Sequence, residues 1–68
     1  MENEVVVTVD GLRGKKAADK IVQQITQMPG VELVDINLRR GRVSVTGGDL
    51  DQMYIVDVIE SMGYTALH

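Results

Sequence analysis

The segment Met28-Pro29-Gly30-Val31-Glu32-Leu33-Val34-Asp35-Ile36-Asn37-Leu38-Arg39-Arg40-Gly41-Arg42-Val43-Ser44-Val45-Thr46 holds a helix stop, a strand, a turn and a returning strand in unbroken succession. Pro29 has no amide hydrogen and its ring clashes with a preceding helical turn, so Pro29-Gly30 closes the helix that reaches it. From Val31 to Leu38 the residues alternate, Val34, Ile36 and Leu38 against Asp35 and Asn37, with the period of a half-buried strand. Arg39-Arg40-Gly41-Arg42 is short, polar and glycine-bearing, which makes it a turn. Val43 to Thr46 then runs back as a second β-branched strand. The pair is a hairpin.

Upstream of this hairpin, Gly14 to Met28 reads as a helix. Ala17, Ala18, Ile21, Val22, Ile25 and Met28 follow the i, i+3, i+4 spacing of one apolar stripe. Before it, Glu4 to Asp10 is a β-branched strand with Val5, Val7 and Val9 on one face, ended by the turn pair Asp10-Gly11. Downstream, Gly47-Gly48-Asp49 breaks the strand, and Asp49 or Asp51 serves as cap for a second helix running to about Met62. Its stripe is Ile55, Val58, Ile59 and Met62, and Gly63 stops it before a short strand, Tyr64 to Leu67. The order is βαββαβ. Two helices with one apolar stripe each need a shared surface, so both are expected on one face of a four-stranded antiparallel sheet, an α+β, ferredoxin-like arrangement.

Composition narrows what this fold can do. The 68 residues form one domain, 1–68, near the lower limit for a self-supporting core. There is no cysteine, hence no disulfide, thiolate metal site or cysteine nucleophile. No apolar run approaches the ~20 residues needed to cross a bilayer, so no membrane insertion is expected. The acidic start, Met1-Glu2-Asn3-Glu4, is unlike a secretory signal and gives a cytoplasmic expectation, for a free chain or for one module of a larger protein. Eleven valines argue against disorder.

The pieces Val7-Thr8-Val9-Asp10-Gly11-Leu12, Met28-Pro29-Gly30-Val31, Val34-Asp35-Ile36-Asn37-Leu38, Gly41-Arg42-Val43-Ser44-Val45 and the final Ile55-to-Ala66 segment occur in an order and spacing that resembles the heavy-metal-associated domain. That is the family of small copper chaperones and of the N-terminal modules of metal-transporting P-type ATPases. The resemblance covers nearly the whole chain and implies the same ferredoxin-like fold. It also implies a metal loop of the form Gly-Met-x-Cys-x-x-Cys between the first strand and helix, where two exposed thiolates hold a soft ion. This chain departs there. The window reads Gly11-Leu12-Arg13-Gly14-Lys15-Lys16-Ala17, so Leu12 replaces the methionine while Gly14 and Ala17 stand in the cysteine positions. Neither side chain binds metal.

Substitute ligands are few. Met28 and Met62 fall on helix stripes, where methionine fills cores, Met53 is isolated, and His68 is a lone terminal imidazole. Asp10, Asp49 and Asp51 read as turn or cap residues. No dedicated metal and no cofactor is expected.

The cations are distributed unevenly. Arg13, Lys15, Lys16 and Lys20 form one window and Arg39, Arg40 and Arg42 another, with none from Val43 onward. In βαββαβ topology both windows emerge at the end where the metal loop would lie, together with Tyr64 after Gly63. The expectation is a docking surface made of Leu12, Arg13, Lys15, Lys16, Arg39, Arg40, Arg42 and Tyr64, for an acidic surface of an ATPase domain or another metal-trafficking protein. A plain solvated rim is the competing reading. So the chain reads as a protein-docking or regulatory module in or beside a metal-transport system, or as an altered metallochaperone with its thiols removed. A third reading comes from Gly11-Leu12-Arg13-Gly14, a GxxG like the backbone clamp of KH nucleic-acid modules. KH domains, however, set that loop between two helices, and no aromatic residue lies close by in sequence for base stacking. There is no Ser/His/Asp or Cys/His set and no Walker A, so no enzyme is expected.

Overall fold

The computed structural model describes residues 2–67. The chain runs β1 (Glu2–Asp10), α1 (Gly14–Thr26), β2 (Val31–Asn37), β3 (Arg42–Gly48), α2 (Gln52–Ser61), β4 (Thr65–Leu67). The four strands form one antiparallel sheet in the order β2-β3-β1-β4. This is the ferredoxin-like arrangement that the alternation of strand and helix patterns predicts.

Strand pleating sends alternate residues to opposite faces. Val5, Val7 and Val9 of β1 and Val43 and Val45 of β3 are buried, and against them pack Ala18, Ile21 and Ile25 of α1 with Ile55, Val56 and Ile59 of α2. Every buried side chain among the described residues is apolar. Val34 and Ile36 of β2, Met28 and Met62 close the margins of this core as half-buried neighbours. Met28 and Met62 therefore occupy packing positions, while Met53 is exposed. His68, the single imidazole, lies outside the described residues.

Boundaries shift by one or two residues for identifiable reasons. β1 starts at Glu2 and β3 extends to Gly48 because Glu2 pairs with Gly48 and Asn3 with Gly47. Backbone pairing there overrides the poor strand propensity of the glycine pair. α1 ends at Thr26, and Gln27 (φ −78°, ψ −10°) leaves the helix while Met28 still donates its amide to the Ile25 carbonyl at 2.9 Å. Leu38 falls past the end of β2 and is exposed, so it does not continue the Val34–Ile36 face. Of the two candidate caps, Asp51 is the one used: its Oδ1 accepts from the Met53 amide at 3.0 Å and the Tyr54 amide at 3.3 Å. Asp49 instead sits in the turn with φ +54°. Val56 joins the α2 core face beside Ile55, widening the stripe that the i, i+4 count marks out. Tyr64 precedes β4, which spans three of the described residues and pairs with Thr8, Val9 and Asp10.

Candidate functional site

The direction of each element fixes two ends. β1, β2 and α2 run toward one pole, and the β1–α1 loop, the β2–β3 turn and the α2–β4 turn lie there. The α1–β2 and β3–α2 connections lie at the other. A backbone bond ties the β2–β3 turn to the end of β1: the Val9 amide donates to the Gly41 carbonyl at 2.6 Å. Gly41 makes that approach with φ +65°, and a Cβ on it would stand 2.8 Å from the Val9 carbonyl oxygen. A glycine is required. The Asn37 Oδ1 accepts the Arg40 amide at 3.2 Å and fixes the hairpin turn from inside.

Charge follows topology. Arg13, Lys15, Lys16, Arg39 and Arg40 are exposed at this pole, with Asp10 and Glu60 as the acids nearby in the fold. The opposite pole carries Glu4, Glu32, Asp49 and Asp51 and no cation among the described residues. No ion pair joins the described residues at either end. At the basic pole α1 begins without help: Arg13 is its N-cap (φ −133°, ψ 134°), no side chain caps it, and its first turn has no acidic residue. The first amides of a helix lack partners within the helix and its dipole is positive there, so Lys15 and Lys16 each sit against about 0.3–1 kcal/mol of unfavourable dipole interaction.

The residues of the sequence motif divide by depth. Leu12 is 6% exposed and belongs to the core, so it anchors the loop from beneath rather than offering a contact. Gly14 is exposed with φ +79° and open space where a Cβ would project. Ala17 is half-buried against the core. Tyr64 is likewise half-buried, its side chain against the core margin. Arg42 departs from the grouping made along the sequence. It pairs with Thr8 and Asn37 inside the sheet, and since Val43 faces the core, Arg42 projects from the sheet's open face. The alternation of Arg42 with Val43 is the sequence signal for this. The open face itself has no counterpart in the motif comparison.

Among the described residues no three His, Cys, Asp or Glu side chains gather closely enough to hold a metal ion. No helix among them is long and apolar enough to cross a membrane.

The family model described as heavy-metal-associated domain matches residues 6–65. A comparison with curated protein sequences finds no match. Among solved structures, a CopZ metallochaperone superposes with TM-score 0.91 at 25% identity over 96% of this chain and 100% of its own. A yeast copper transporter domain, Ccc2a, solved in apo and Cu(I)-loaded states, gives TM-score 0.86 at 26% identity, with 93% of this chain and 89% of that one covered. A CsoZ metallochaperone matches the whole of both chains with TM-score 0.92 at 23% identity, a likeness of fold.

Proposed function

The chain belongs to the heavy-metal-associated domain family, and from that premise we propose that it is a cysteine-free, non-catalytic docking or regulatory module of a metal-transport system, engaging an acidic partner through its basic pole. The observation that carries this reading is the meeting of the two cationic windows around the loop where the family's thiolates would stand. Arg13, Lys15 and Lys16 come from the β1–α1 connection and the start of α1, and Arg39 and Arg40 from the β2–β3 turn, all exposed at the same end of the sheet. Gly14 and Ala17 offer no ligand atom, so the pole retains shape and charge without a soft-metal site.

Exposed charges at the rim of an interface act mainly by steering encounter, and a protein of net charge −3 with one positive end suits a transient, oriented contact. The partner class supported best is an acidic domain of a metal-transporting ATPase or another trafficking protein. Replacing Lys15, Lys16, Arg39 and Arg40 by Gln tests this against the heavy-metal-associated domains of the transporters from the same source. Four exposed contacts worth about 0.2–1 kcal/mol each predict a loss of affinity of about fourfold or more and a shallower salt dependence. Unchanged, salt-insensitive binding would refute the electrostatic docking mode.

A further inference from the structure

The two helices cover one face of the sheet and leave the other open. On that open face Leu33 is 61% exposed, Val6 46% and Leu67 54%. Their arrangement is ordered by the strand register. Leu33 lies in line with Thr46 and Glu4, Val6 with Ser44 and Asp35, and Leu67 with Thr8 and Arg42. With rows about 7 Å apart and strands about 4.8 Å apart, the three apolar side chains fall on one diagonal about 20 Å long. Glu4 stands on one side of it and Asp35 on the other. Counting Asp10 and Arg42, which also face this way, the surface carries a net negative charge.

We propose that this open face is a second docking surface, separate from the basic pole, whose occupant is a basic amphipathic helix of a partner protein. A ridge about 20 Å long matches about 13 helical residues. The partner's apolar stripe would lie along Leu33, Val6 and Leu67, with Lys or Arg side chains on each flank reaching Glu4 and Asp35. A second copy of this chain fits poorly. Two faces of like net charge repel.

The probe is a 14-residue peptide of Leu and Lys patterned as an amphipathic helix, with a Leu/Glu peptide of the same pattern as control. Titrated into the ¹⁵N-labelled chain, the Leu/Lys peptide is expected to give saturable amide shifts in Glu4–Thr8, Leu33–Asp35 and Thr65–Leu67, and the control none. A triple variant, Val6→Thr, Leu33→Thr and Leu67→Thr, keeps strand-forming residues at exposed positions and is expected to bind at least tenfold more weakly. Glu4→Gln with Asp35→Asn, which leaves the apolar diagonal intact, is expected to weaken binding several-fold and reduce its salt dependence. The proposal is overturned by shifts centred on Asp49–Gln52 or on the helices, by equal binding of the two peptides, by unchanged affinity in either variant, or by a dimer in sedimentation that buries this face.

Discussion

Gly14 is the position at which backbone geometry and family chemistry meet, and replacing it with Ala isolates the backbone term. Its φ of +79° lies in the left-handed region, and nothing stands within 4 Å of the place a Cβ would take. Steric conflict with neighbours is therefore absent, and the cost is the strain of an L-residue in that region, about 1–2 kcal/mol. Against this, Ala restricts the unfolded chain and recovers about 0.4–1 kcal/mol. The net expectation is a loss of about 0–1.6 kcal/mol, centred near 0.8 kcal/mol. An unfolding entropy of about 2.1 cal/mol/K per residue converts 1 kcal/mol into about 7 °C for a chain of this length, so the melting temperature should fall by about 6 °C at the centre of that range and by at most about 11 °C. That is a substantial share of the roughly 3–10 kcal/mol available to a domain this small. Calorimetry on chemically synthesised chains supplies the assay, and synthesis permits a mirror control. D-Ala at position 14 favours positive φ, so it should raise the melting temperature by a few degrees. An L-Ala variant more stable than the parent, or more stable than the D-Ala form, would refute the left-handed assignment of Gly14.

Other outcomes follow from the same geometry. Gly41→Ala combines positive φ with a contact at 2.8 Å to the Val9 carbonyl oxygen and should cost more than Gly14→Ala in urea unfolding. Asp51→Ala removes the acceptor of two helix-start amides and should lower stability by about 1 kcal/mol without altering the sheet amide shifts. Ile59→Val, at a fully buried position, should cost about 0.5–1.5 kcal/mol, and Ile59→Ala, at about 2–5 kcal/mol, should leave a large unfolded fraction visible by circular dichroism. Titration with Cu(I) or Zn(II) should give no saturable amide shifts from Gly11 to Ala17, and Gly14→Cys with Ala17→Cys should create them. Single-stranded RNA should not bind even at low salt, where counterion release most favours it.

The fold was legible because its decisive signals are local. Pro29-Gly30 stops a helix, Val34 and Ile36 alternate with Asp35 and Asn37, and Ile21 and Ile25 repeat at helical spacing, each independent of tertiary context. What escaped the sequence depends on pairing partners. Gly47 and Gly48 are strand residues only because Asn3 and Glu2 lie opposite them. The clustering of the two cationic windows was legible as a consequence of topology, yet the direction of Arg42 required its place in the pleat. Leu12 was readable as a packing replacement for methionine, and its depth also removes it from the contact surface. The φ of Gly14 has no sequence signature beyond the glycine itself. The open face was unread because its apolar residues, Val6, Leu33 and Leu67, are far apart in the chain and become neighbours only through register.

The brevity of β4 distributes resistance to opening unevenly along β1. Thr8, Val9 and Asp10 are held by β4 on one side, and on the other Thr8 pairs with β3 while Val9 bonds to the hairpin turn. From Glu2 to Val7 the strand pairs, among the described residues, with β3 on one side, and the Asn3 Oδ1 also accepts the Leu50 amide at 3.3 Å. Amide hydrogens measure such differences directly, since exchange from a strand end held on one side requires only local fraying, whereas exchange from a doubly held segment requires a larger cooperative opening. Protection should therefore rise along β1 toward Val9. The acidic end then loosens first and the basic end last, so the basic pole stays formed in partially opened states of the molecule.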